Sequence, residues 1–183
     1  YRSARSPVIE PGASFQDAKT RNRVMPYYRA LSAETNVTDA KAYVAYLDAQ
    51  NAVDVKRKIG TTGYCMGGPM VMRTAAALPE RIGAGGSFHG SGLVTNDAES
   101  PHLLIKNMQA DLLIAVAAND DERAPNDKEV LRKTAAKYGL KAEIEVYEGA
   151  MHGWCPPDSR VYHEKQAEQA WVRLLHTFEN ALG

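Results

Sequence analysis

Cysteine is almost absent from this chain: two among 183 residues, Cys65 and Cys155. Two distant thiols do not make the disulfide framework of a small secreted domain. They fit a reducing compartment, so a cytoplasmic location is expected. The one His-x-x-Cys pair, His152 and Cys155, falls short of the three or four ligands of a metal site. An excess of either charge is missing too. With 22 basic and 22 acidic residues, no global field points to nucleic acid or an anionic membrane as partner. No apolar run approaches the roughly 20 residues that span a bilayer. Tyr1-Arg2-Ser3-Ala4-Arg5 has no apolar segment behind it such as a signal peptide carries. Internal repeats and low-complexity tracts are lacking as well. At this length one domain over residues 1 to 183, with a sizeable core, is expected.

What the chain does hold is Thr62-Gly63-Tyr64-Cys65-Met66-Gly67-Gly68, a Gly-x-Cys-x-Gly between two kinds of sequence. Arg57-Lys58-Ile59-Gly60-Thr61-Thr62 before it reads as a strand, and Pro69 to Leu78 after it has a helical composition. A nucleophile at a sharp strand-to-helix bend is a nucleophile elbow, here with cysteine at its tip. The bend strains the nucleophile's backbone, and the positions two before and two after it are expected to be small. The helix N-terminus favours a thiolate and leaves free N–H groups near a reacting carbonyl. The competing reading of this stretch alone is a structural cysteine beside a glycine-rich turn.

The remaining chain alternates helical and strand patterns. Residues 15 to 31 predict a helix broken at Pro26. A helix over 37 to 50 follows, with Asn36 as N-cap and Asp39 completing a capping box. Residues 81 to 88 form a glycine-rich strand, 90 to 101 a loop, and 112 to 118 a continuous apolar strand of the kind buried in a parallel sheet. A helix over 126 to 138 is capped by Asn126 and Glu129 and closed by Gly139. An alternating strand occupies 142 to 147. The last helix, 160 to 181, is expected to bury Ala167, Ala170, Trp171, Leu174, Leu175, Phe178 and Leu182. Such alternation implies a mainly parallel sheet covered by helices on both faces, with ligands at the carboxyl ends of the strands.

Two further candidates stand at strand ends. The acidic turn Asn119-Asp120-Asp121-Glu122 follows the 112 to 118 strand, and His152 follows the 142 to 147 strand. Nucleophile, acid and histidine occur in the chain order of α/β-hydrolases. A thiol needs a base to take its proton, and the base needs a carboxylate to hold its tautomer. Against this, acidic residues before helices are commonly solvated caps. His163 and His176 read as surface or packing residues of the last helix.

Gly63-Tyr64-Cys65-Met66-Gly67-Gly68, Asp121-x-x-x-Pro125 and Gly149-x-x-His152-Gly153 resemble the dienelactone hydrolase family of α/β-hydrolases. Ser87-Phe88-His89-Gly90 and Ser100-Pro101-His102-Leu103-Leu104 also resemble it. The resemblance implies Cys65 as nucleophile, Asp121, four before Pro125, as triad acid, His152 as base, and the Met66 N–H as oxyanion donor. It implies hydrolysis of a small ester or lactone through a thioester, without metal or cofactor. Arg2, Tyr64, His89 and Trp154 are expected at the substrate. Arg2 matches one arginine of the family's carboxylate clamp, while Pro156 stands in place of the second, so the dienelactone itself is not the expected substrate. The chain also starts late against the family pattern. A truncated N-terminal part, a missing second oxyanion donor and self-association through an exposed sheet edge are therefore expected. The alternative is a non-catalytic binding domain of the same fold. A lesser expectation is an oxidative link between Cys65 and Cys155.

Overall fold

The strand Asp111–Ala117 sorts its side chains by the period of two that a pleated backbone imposes. Leu112 and Ile114 enter one hydrophobic cluster, with Met72, Ala75, Ile105, Leu131 and Ile144. Leu113, Ala115 and Ala117 enter another, with Phe88, Tyr147, Trp154, Ala170 and Leu174. A strand that is apolar on both faces requires two covered faces, and this one has them. The computed structural model describes residues 8–14 and 16–183. Arg2 therefore lies outside the described residues.

Four strands, β1 (Ile59–Tyr64), β2 (Ile82–Phe88), β3 (Asp111–Ala117) and β4 (Ala142–Tyr147), form one sheet in the order β1-β2-β3-β4. Every pair is parallel. β1 and β4 are the outer strands of the described sheet. Helix α3 (Gly67–Ala77), a 3-10 helix (Pro101–Asn107) and α5 (Asp127–Tyr138) contribute to the first cluster. Helix α6 (Glu164–Leu182) supplies the second. Register aligns the strand ends: Tyr64 pairs with Phe88, Phe88 with Ala115, and Ala117 with Tyr147. The residues that follow these ends are thus gathered along one rim.

Several local expectations change. Helix α1 (Ala18–Arg29) runs through Pro26 without a break. Proline there removes one N–H, while Ala30 still donates to the Pro26 carbonyl, so the helix continues. Helix α2 (Ala33–Asp48) starts four residues earlier than expected, because Ser32 and Thr35 form a reciprocal capping box that outcompetes Asn36 and Asp39. Asn126 makes no side-chain capping bond, but Gly139 closes α5 at φ 66° as expected. On α6 the buried stripe is narrower than predicted: Trp171 and Leu175 are exposed. No helix among the described residues is long and apolar enough to cross a membrane.

Candidate active site at the strand ends

Cys65 occupies the tight bend between β1 and α3, with φ at 54° and its side chain exposed. A non-glycine residue in this region is strained and persists only when its surroundings enforce it. The enforcement is visible in the glycines. A Cβ on Gly63 would meet the Gly67 carbonyl oxygen at 2.2 Å, so strand and helix pass too closely for a side chain there. The expected small residue two after the cysteine is not required: a Cβ on Gly67 meets nothing within 4 Å. The tight position is Gly68, where a Cβ would lie 2.6 Å from Gly90 Cα. Met66 is the N-cap residue of α3, so its N–H belongs to the donors left unpaired at a helix start.

His152 stands in the loop after β4, between Gly149 (φ 73°) and Gly153 (φ 97°), two left-handed positions that fold the loop back on the rim. Its backbone N–H donates to Asn119 Oδ1 at 2.8 Å, and its Nδ1 lies 2.7 Å from Asp120 Oδ2. A ring nitrogen that faces a carboxylate must carry the proton, which leaves Nε2 as the basic atom. The Ala118 N–H donates to the Ala150 carbonyl and locks the two loops together.

The carboxylate on His152 is Asp120, a correction of the expected Asp121. The acidic stretch is not a loose turn but a short helix, α4 (Ala118–Arg123), that begins directly after β3. Successive helical residues point about 100° apart, so one acid at most can face the imidazole. Asp121 turns instead to Lys128, whose Nζ lies 2.7 and 2.8 Å from its two carboxylate oxygens. Asn119, which pins the histidine backbone, carried no expectation, although its place at the strand end could have suggested one.

His89 and Trp154, both expected at the substrate, are inside the protein. His89 is 3% exposed and Trp154 0%. The His89 ring lies 4.8 Å from the His152 ring and edge-on to Trp154 at 5.1 Å. Its Nδ1 accepts from the Cys65 backbone N–H at 3.1 Å. Burial, and beyond it the neighbouring His152 charge, push its pKa down to about 4, partly opposed by Asp120. Tyr64 is exposed and stacks on Phe88 with ring centres 4.9 Å apart. Cys155 is a free thiol, as is Cys65, and burial pushes it up to about 12.

Among the described residues, no hydrogen bond joins the Cys65 thiol to His152. No group of three or more His, Cys, Asp or Glu there could hold a metal ion. A hollow of 170 Å³ lined by Tyr64, Phe88, Cys155, Tyr162 and Trp171 opens next to the end of β1. A larger apolar groove of 720 Å³ between α1, α2, β1 and α3 includes Met66 in its wall, but not Cys65, Asp120 or His152. Asp120, His152 and His89 lie together at the strand-end rim, outside both the larger groove and the hollow.

The sequence profile of the dienelactone hydrolase family matches residues 6–182. A Synechocystis protein named "Putative carboxymethylenebutenolidase" is 29% identical over 150 residues, covering 80% of this chain and 59% of its own length. A protein of the same name from Aquifex aeolicus is 29% identical over 128 residues, covering 69% of this chain and 52% of its own. The chain thus spans little more than half the length of these curated relatives. Among solved structures, one titled a "Putative Dienelactone Hydrolase" from Klebsiella pneumoniae superposes with a TM-score of 0.76 at 23% identity, covering 87% of this chain and 66% of that one. The dienelactone hydrolase-like promiscuous phosphotriesterase P91 from metagenomic libraries gives a TM-score of 0.71 at 20% identity, covering 91% and 70%. The fold is that of the α/β-hydrolases.

Proposed function

Because the chain belongs to the dienelactone hydrolase family, we propose that it hydrolyses a small ester or lactone, with Cys65 as nucleophile, His152 as proton carrier and Asp120 as the orienting carboxylate. The observation that carries this reading is the pairing on one rim of a strained, exposed cysteine at φ 54° and an imidazole held by Asp120 at 2.7 Å. Asp120 takes the part first expected of Asp121, since only Asp120 touches the histidine.

The chemistry follows from the groups. His152 Nε2 accepts the Cys65 proton, and the sulfur forms a bond to the substrate carbonyl carbon. Negative charge moves to the carbonyl oxygen, where the Met66 N–H stabilises it by on the order of 3 kcal/mol, the worth of one oxyanion donor. The carbonyl re-forms, the carbon–oxygen ester bond breaks, and the imidazolium returns its proton to the departing alkoxide. Water, deprotonated by the same nitrogen, then attacks the thioester and frees the thiol and the acid. Asp120 remains a carboxylate throughout and offsets the imidazolium charge.

A second reading is a binding domain without turnover. It draws on the missing hydrogen bond between thiol and imidazole, although such bonds often tighten only when substrate is bound. An activated aryl ester separates the two. The hydrolase reading expects steady turnover, an acyl adduct on Cys65 in quenched samples, and loss of both in Cys65→Ala. Folded protein that forms no adduct supports the binding domain, and turnover retained in Cys65→Ala refutes the nucleophile.

A further inference from the structure

We infer that His89 is a positioning residue of this site: its buried ring holds the bend at Cys65 and the His152–Asp120 pair in one fixed relation. The inference rests on the reading of Cys65 as nucleophile.

Cys65 and His89 follow the paired strand ends Tyr64 and Phe88, and both have positive φ, 54° and 41°. Two strained residues side by side need something to hold them. The Cys65 N–H is shared between the Phe88 carbonyl oxygen at 3.0 Å and His89 Nδ1 at 3.1 Å. The His89 backbone N–H is fixed in turn to the Ala115 carbonyl at 2.8 Å, which ties the turn to β3. The ring then fills the space between the two halves of the site. His152 is tilted 60° against it at 4.8 Å, Trp154 meets it edge-on at 5.1 Å, and Tyr64 lies at 6.0 Å.

These contacts ask for an imidazole in particular. Phenylalanine has the ring but no acceptor, and a protonated imidazole has no acceptor either. Accepting at Nδ1 puts the proton of the neutral ring on Nε2, which is buried without a hydrogen-bond partner among the described residues. The charged and titratable side chains that face the ring are His152, Asp120 and Tyr64, and only Asp120 favours a cation there. At 3% exposure the ring offers almost no surface to a substrate. It acts through the backbone of Cys65 and the face of His152.

Three measurements test this. Nitrogen-15 imidazole spectra of the wild-type protein are expected to show His89 as the neutral Nε2–H tautomer at neutral pH; an Nδ1–H tautomer overturns the inference. His89→Phe is expected to slow both iodoacetamide alkylation of Cys65 and kcat on an aryl ester by about tenfold, the worth of one hydrogen bond, with KM nearly unchanged. His89→Asn, whose Oδ1 can accept and whose backbone tolerates positive φ, is expected to restore both to within about threefold. Wild-type rates in His89→Phe, or an Asn variant no better than Phe, overturn the inference. Should His89→Phe fail to fold, the Asn variant and the wild-type spectra decide alone. A wild-type protein with no ester turnover defeats the hydrolase reading instead, while alkylation and spectra still judge His89.

Discussion

Asp120→Asn and Asp121→Asn differ by one position, and the two changes are expected to have opposite consequences. Asp120 Oδ2 lies 2.7 Å from His152 Nδ1, and its side chain is 16% exposed. An asparagine there can present its NH₂ to the ring, which turns Nδ1 into the acceptor and moves the proton to Nε2. The nitrogen that should take the thiol proton is then already protonated. In triad chemistry this tautomer error costs about 10⁴-fold in kcat, or roughly 5 kcal/mol of barrier. A cysteine gives up its proton more readily than a serine, so a loss of about 10²–10⁴-fold is expected here. Asp121 instead pairs with Lys128, with side chains 21% and 23% exposed. A partly exposed ion pair is worth about 1 kcal/mol, which lowers Tm by some 2–4 °C for a chain of this size. Its kcat is expected to stay within about threefold of wild type, a window of less than 1 kcal/mol in barrier. The assay is aryl-ester turnover beside a thermal melt for each variant. A collapse of kcat in Asp121→Asn with Asp120→Asn active would refute the assignment of the carboxylate.

Two further outcomes follow from the geometry. Gly63→Ala places a Cβ 2.2 Å from the Gly67 carbonyl oxygen and is expected to cost about 2–3 kcal/mol, whereas Gly67→Ala meets open space and is expected to be neutral or stabilising by up to about 1 kcal/mol; urea unfolding compares them. His89 also makes stability depend on acid. Its imidazole takes a proton near 6.5 in the unfolded chain but only near 4 in the folded one, so stability is full above about 6.5 and is lost as pH falls to about 4. The upper bound of that loss is about 3 kcal/mol, and His89→Asn is expected to flatten the slope of unfolding free energy between those pH values.

Some of this protein was decided within short stretches of chain. A short continuous apolar run fits a strand covered on both faces, and Leu112 to Ala117 divides between two cores as a pleated strand requires. The glycine two before Cys65 answers a clash between β1 and α3 that this sharp bend creates, and the strand at 142 to 147 was readable to the residue. The order of cysteine, acidic stretch and histidine, each after a strand, was equally local. Other features depended on which groups meet across the sheet. Asp120 and Asp121 are chemically identical, and the helical turn of α4, set by docking between β3 and the His152 loop, chooses between them. His89 and Trp154 were expected at the substrate from the family resemblance, yet both are enclosed by the packing around the strand ends. Side-chain direction in a loop is not periodic, so composition and spacing carry no record of it. Contacts between residues dozens of positions apart supply it.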